Sequence, residues 1–192
     1  MKPTLTGVLL AGGKSRRMGQ DKACLRVTWE GAPMFLWERQ LAVLRSIEPD
    51  ILLISGGRKE GYPESIAILS DDWVDVGPLG GIATCLNRIR TDLLLVLAVD
   101  MAGIEPAFLK KLSTQAAVGC GVVPVHQNRF EPLAAVYPAV ARDIAIDQLE
   151  MGEHALQRFS ERLLREGLVT RYTVGSAEQI QLLNWNTPED LR

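Results

Sequence analysis

The stretch TGVLLAGGKSRRMGQDK, Thr6 to Lys22, begins as an apolar run and stops at two adjacent glycines, Gly12 and Gly13. It then carries Lys14, Arg16, Arg17 and Lys22. Gly-Lys-Ser after an apolar run suggests a nucleotide-binding P-loop. That pattern needs a further glycine five places before Gly13, and Val8 stands there. Gly7 misses by one residue. The four residues that would wind around a phosphate, Leu9 to Gly12, start inside a buried strand. The G-x-G-x-x-G dinucleotide pattern is absent as well. What remains is a strand followed by a tight, basic, glycine-containing loop. Such a loop offers N–H groups and cations to phosphate oxygens. A solvated basic turn is the plainer alternative.

Outward from this stretch, strands and helices alternate. After the first strand, Pro33 is expected to open a helix in which Met34, Trp37, Leu41 and Leu44 share one face. DILLIS (50–55) and IAIL (66–69) read as buried strands, and LLLVLAV (93–99) is the most apolar strand, ending at Asp100. A helix with Leu79, Ile82, Leu86 and Ile89 on one face follows GPLGG, and Pro106 opens another. GVVPV and LAAVY read as strands, 139–149 and 154–165 as helices, and LVTRYTV as a late strand. Thr187-Pro188-Glu189-Asp190 forms a capping box for a short last helix. This order predicts an α/β sandwich with a mostly parallel sheet, and no change of composition divides residues 1–192 into more than one domain.

Bulk properties narrow the function. The net charge of −2 implies no general attraction to nucleic acid, so the basic loop is a local feature. Apolar runs are too short to span a bilayer. Cys24, Cys85 and Cys120 form no C-x-x-C, read as core residues, and lack a histidine partner for thiol catalysis. With no secretory leader read at the start, a reduced, cytoplasmic protein is expected.

In open parallel sheets, ligands bind outside the carboxyl ends of the strands. Three places qualify: the loop from Gly12, the segment after Leu69, and Asp100. A carboxylate ending a central strand suits a hard cation that is also held by substrate phosphates. Capping of the next loop is the alternative. Asp71, Asp72 and Asp75 precede the GPLGG turn. For the latter two, an acidic cap on the following helix is at least as good a reading.

These residues resemble a known family. LLAGGKSRRMGQDKACL is similar to the L-A-G-G-x-S-x-R-M-G-x-D-K signature of the molybdenum cofactor guanylyltransferases. DVGPLGGI and NWNTPEDL resemble two further motifs of that family, so the likeness runs from residue 6 to residue 191. It implies a three-layer α/β/α sandwich of the Rossmann-like nucleotidyltransferase type. The implied activity is transfer of GMP from GTP to the phosphate of molybdenum–molybdopterin, giving the guanine dinucleotide and pyrophosphate. Leu10, Ala11 and Gly12 would then hold GTP, with Gly13 shaping the turn and Lys22 on the phosphates. Asp71 would take the nucleoside portion, and Asp100 would bind Mg²⁺ and phosphate. Ser55 stands where the family often has asparagine, and Ala102 where it commonly has proline. Asn184 and Asn186 fall in the C-terminal motif and are candidates for pterin contact, against a loop that caps the last helix. Beyond its substrates, implied partners are molybdoenzymes or other cofactor-biosynthesis proteins. The rivals are a CTP-using molybdopterin cytidylyltransferase and a cofactor or nucleotide carrier without turnover.

A phosphate monoester is largely ionised near pH 7, its second pKa being about 6, so the attack needs no general base. The protein's task is to bring two polyanions together and neutralise the charge that develops.

Overall fold

The computed structural model describes residues 2–12 and 22–182. The opening apolar run forms β1 (Leu5–Leu10), with all six residues buried. Such a strand does not alternate between apolar and polar residues because helices cover both faces of the sheet. β4 (Ile51–Ser55) and β5 (Ala67–Leu69) lie to one side of β1, and β6 (Leu93–Ala98) to the other, all parallel. The strand order therefore reverses at the β1–β6 pair. Beyond β6 come β9 (Ala134–Pro138), β7 (Gly121–His126) and β10 (Val169–Thr173), giving the order β10-β7-β9-β6-β1-β4-β5. β9 runs antiparallel to both β6 and β7, so the sheet is mixed and mostly parallel, as expected.

Helix α1 (Leu36–Arg45) links β1 to β4 across one face, and α2 (Pro78–Arg88) links β5 to β6. The two crossovers run in opposite directions along the sheet. Their common right-handedness places the helices on opposite faces. The remaining packing agrees: α1 meets α3 (Pro106–Gln115), while α2 meets α4 (Ala141–Glu150), which meets α5 (Leu156–Arg165). The two layers close over one core that includes Leu9, Leu36, Ile54, Ile82, Leu95 and Phe159.

One expected element differs. Pro33 lies in a strand, not at the start of a helix. β2 (Arg26–Trp29) and β3 (Ala32–Phe35) form a hairpin separate from the main sheet. Its turn residues, Glu30 and Gly31, have φ of 51° and 80°, the left-handed pair that suits the twist of a two-residue hairpin. Proline is tolerated in so short a ribbon because it leaves few ladder bonds to lose. The helix starts at Leu36, where the Glu38 carboxylate accepts the Phe35 N–H at 2.6 Å and caps the first turn. The helical face therefore includes Trp37, Leu41 and Leu44 but not Met34. A second hairpin, unforeseen from sequence, joins β7 to β8 (Arg129–Phe130) through Gln127 and Asn128, at φ 47° and 64°. Among the cysteines, Cys85 is a core residue, Cys120 is half-buried and Cys24 is exposed, which corrects the reading of all three as core. The capping box at 187–190 lies outside the described residues.

Candidate active site

The point where strand order reverses brings three strand ends together. The Ala11 N–H donates to the Ser55 carbonyl at 3.0 Å, and the Val99 N–H to the Leu10 carbonyl at 3.1 Å. Leu10, Ala11 and Gly12 thus leave the sheet between the ends of β4 and β6, with Asp100 one residue beyond Val99. This is the crevice in which an open α/β sheet binds its ligand.

On the β4 side, the Ser55 hydroxyl donates to Asp71 Oδ1 at 2.8 Å. Ser55 is almost wholly buried at 1% exposure, so its side chain faces Asp71 rather than solvent. Two glycines make room for this pair. A Cβ added to Gly81 would lie 2.9 Å from Ser55 Oγ and 3.5 Å from Asp71 Oδ1. One added to Gly12 would lie 3.2 Å from Asp71 Oδ2. The Asp71 carboxylate therefore lies against the backbone of the loop that opens the signature. Gly81, the last glycine of the GPLGG helix start, allows close packing of α2 on this pair. Cys85 lies beneath them. Burial pushes its thiol up to about 12, which the Ser55 hydroxyl partly offsets and the Asp71 charge reinforces. It is an inert core thiol.

Lys59 was missed in the sequence. Its ammonium donates to the Ala11 carbonyl at 2.9 Å, placing a half-buried cation at the mouth of the crevice. The signal was available: SGGRKEG (55–61) is another glycine-rich basic loop at the carboxyl end of a buried strand. By contrast, the Asp72 carboxylate accepts from Arg88 at 2.7 Å and its N–H donates to Thr84 at 2.9 Å, which ties it to α2 rather than to the crevice. Asp75 is exposed with φ 61°.

Asp100 is half-buried, and helix α1 holds the loop that carries it. The buried Gln40 amide donates to the carbonyls of Met101 (2.9 Å) and Ala98 (3.3 Å). Arg39 in turn donates to Gln40 at 2.7 Å and pairs with Glu105 at 2.7 Å. Gly103 adds a steric constraint, since a Cβ there would collide with the Ile180 carbonyl oxygen. Across the β6–β9 ladder, the Ala98 N–H donates to the Leu133 carbonyl at 2.8 Å, and the nearby Glu131 carboxyl senses the Asp100 charge. Burial holds Glu131 above the usual carboxylate range. The Leu133 N–H opposes that shift, Asp100 adds to it, and Arg129 opposes it.

Among the described residues, no cluster of three or more His, Cys, Asp or Glu forms a cage for a metal. A strand-end carboxylate such as Asp100 fits a cation that is otherwise held by substrate phosphates. Gly13, Asn184 and Asn186 lie outside the described residues, as does the side chain of Lys22. No helix among the described residues is long and apolar enough to cross a membrane.

A family model for the MobA-like NTP transferase domain matches residues 7–167. The chain is 37% identical over 191 residues to the "Probable molybdenum cofactor guanylyltransferase" of Opitutus terrae, covering 97% of this chain and 92% of that one. It is 36% identical over 186 residues to the molybdenum cofactor guanylyltransferase of Xanthomonas euvesicatoria pv. vesicatoria, covering 96% and 90%. The crystal structure of molybdopterin-guanine dinucleotide biosynthesis protein A from Archaeoglobus fulgidus superposes with a TM-score of 0.69 at 26% identity, covering 97% of this chain and 94% of that one.

Proposed function

Because the chain belongs to the MobA-like NTP transferase family, we propose that it transfers GMP from GTP to the phosphate of molybdenum–molybdopterin. The observation that carries this reading is the convergence at one crevice of the Leu10–Gly12 backbone, the Ser55–Asp71 pair and Asp100. A phosphate oxygen of the acceptor attacks the α-phosphorus of GTP. A new P–O bond forms, the bond from the α-phosphorus to the bridging oxygen breaks, and pyrophosphate leaves. The attacking oxygen is already ionised near pH 7. The residues of this chain therefore act by placement and charge. The Leu10–Gly12 backbone and Gly13 cradle the nucleotide, Asp71 accepts from its nucleoside portion, and Lys22 neutralises its phosphates. Ser55 contributes by orienting Asp71. Asp100 would hold Mg²⁺, which neutralises charge on the triphosphate when bound. Asn184 and Asn186 contact the pterin substrate.

One continuous sheet from Leu5 to Thr173 supports reading residues 1–192 as one domain. The free cysteines support a reducing, cytoplasmic setting.

Incubation with molybdenum–molybdopterin, Mg²⁺ and each of the four nucleoside triphosphates tests the reaction. The expected product is the guanine dinucleotide with stoichiometric pyrophosphate. Cytosine dinucleotide as the main product would replace GTP by CTP. Binding without pyrophosphate release would make the protein a carrier.

A further inference from the structure

Helix α1 buries two strongly polar side chains next to each other. Gln40 is 0% exposed and Arg39 4%. Taking an amide and a guanidinium out of water is costly unless both are fully bonded. An apolar residue of similar size would hold α1 on the sheet without that cost. The polar groups must therefore do something that packing alone does not.

Their partners lie on either side of Asp100. The chain leaves β6 through two consecutive turns. The Met101 N–H donates to the Ala98 carbonyl at 3.2 Å, and the Ile104 N–H to the Met101 carbonyl at 3.1 Å. Val99 and Asp100 are the central residues of the first turn. The two N–H bonds of the Gln40 amide go to the two turn carbonyls, at 2.9 Å to Met101 and 3.3 Å to Ala98. One side chain thus spans the turn that carries Asp100. On the other side, the Val99 N–H donates to the Leu10 carbonyl at 3.1 Å. Asp100 is held between the strand that opens the signature loop and α1.

Arg39 sets which way the Gln40 amide points. One guanidinium nitrogen donates to Gln40 Oε1 at 2.7 Å, so a flipped amide would face Arg39 with its own donors and the two carbonyls with its oxygen. The other nitrogen donates to Glu105 at 2.7 Å, at the start of α3 beyond the second turn. The guanidinium lies over the Trp29 ring, 5.6 Å from its centre. Trp29 ends β2, in the hairpin that follows the signature loop.

We infer that Gln40, oriented by Arg39, is a positioning residue for the metal-binding carboxylate: it fixes the turn on which Asp100 meets the cation and the triphosphate. The inference rests on the reading of Asp100 as the Mg²⁺ ligand and adds the residues that set its place. Partners that orient a metal ligand from behind typically change metal affinity by 10–100-fold when removed.

The test reads metal binding directly. Gln40→Met keeps the length of the side chain and removes both donors, and Arg39→Met removes the group that orients the amide. Thr91→Val is the control. It removes the buried Thr6–Thr91 hydroxyl bond (2.8 Å) and the bond to the Leu93 carbonyl (3.1 Å), at the amino ends of β1 and β6, away from the crevice. Each variant is checked by circular dichroism and Tm. Mn²⁺ binding to each protein, with the α,β-methylene analogue of GTP present, is followed by the electron paramagnetic resonance signal of free Mn²⁺. Kd for Mn²⁺ should rise about tenfold or more in Gln40→Met and several-fold in Arg39→Met, and stay within twofold of wild type in Thr91→Val. Affinity for the analogue in EDTA should be unchanged in all three. Wild-type Mn²⁺ affinity in Gln40→Met, or in Arg39→Met should the former not fold, overturns the inference. So does an equal loss in Thr91→Val, which would make the effect one of general stability. If Asp100→Asn binds Mn²⁺ as wild type does, the metal reading of Asp100 falls and this inference falls with it. If the variants weaken Mn²⁺ binding as expected while the wild-type protein forms no guanine dinucleotide, guanylyl transfer falls and the positioning role stands.

Discussion

The Ser55 hydroxyl donates a hydrogen bond to Oδ1 of Asp71, linking the end of β4 to the segment after β5 at 2.8 Å. The bond commits Ser55 to a neighbour within the protein and sets the direction of the Asp71 carboxylate toward Gly12.

Ser55→Ala should lower kcat/KM for GTP by on the order of tenfold, since hydrogen bonds to charged groups contribute about 1.5–3 kcal/mol. Gly81→Ala should act in the same direction, because its new methyl would lie 2.9 Å from Ser55 Oγ and push it off Asp71. Both effects are read in initial rates against GTP concentration at saturating pterin. Wild-type rates in both variants would show that the orientation of Asp71 is immaterial.

Lys59 grips the carbonyl of Ala11 and adds positive charge at the nucleotide side of the crevice. Lys59→Met keeps most of the aliphatic stem and removes the ammonium. KM for GTP should rise several-fold, more at low salt than at high salt, because salt screens a partly exposed charge. A salt titration of GTP affinity checks this, and equal affinity at every ionic strength would remove Lys59 from nucleotide binding.

Asp100→Asn preserves the shape of the strand end and deletes its charge. Transfer should fall by about 100-fold or more, with the Mg²⁺ requirement shifted to higher concentration. Stability should change little, because the Gln40 bonds to Met101 and Ala98 hold this loop independently of the carboxylate. An unaltered Mg²⁺ dependence would move the metal to other residues.

The acid limb of stability has a contributor far from the crevice. The Asp92 carboxylate accepts the N–H of Thr4 at 2.8 Å and its hydroxyl at 2.7 Å. These bonds hold its pKa below the ordinary value, against a small opposing effect of burial. A depressed folded-state pKa stabilises the protein above the unfolded value, roughly pH 4, and this contribution disappears as pH falls through the folded value. Asp92→Ala should therefore lower Tm at neutral pH, with the deficit shrinking in acid. A Tm deficit independent of pH would show that the carboxylate charge plays no part.

Much of this arrangement was already legible along the chain. The apolar stretches TGVLLA (6–11) and LLLVLAV (93–99) predicted buried strands, because strands covered on both faces dispense with alternation. The carboxyl-end rule then selected the loop from Gly12, the segment after Leu69 and Asp100, and the family resemblance singled out Asp71 within that segment. Local pattern erred where two local preferences competed. Pro33 and the apolar spacing beyond it favoured a helix, whereas the Glu30–Gly31 turn supplied the left-handed pair that folds Arg26–Phe35 into a hairpin. The side-chain partners were decided only in three dimensions. Ser55 meets Asp71 across 16 positions, Lys59 meets Ala11 across 48, and Gln40 meets Met101 across 61. Periodicity tells which residues face inward, but a hydrogen bond depends on angstrom-scale placement of groups from different elements, and that placement is set by the packing of helices on the sheet.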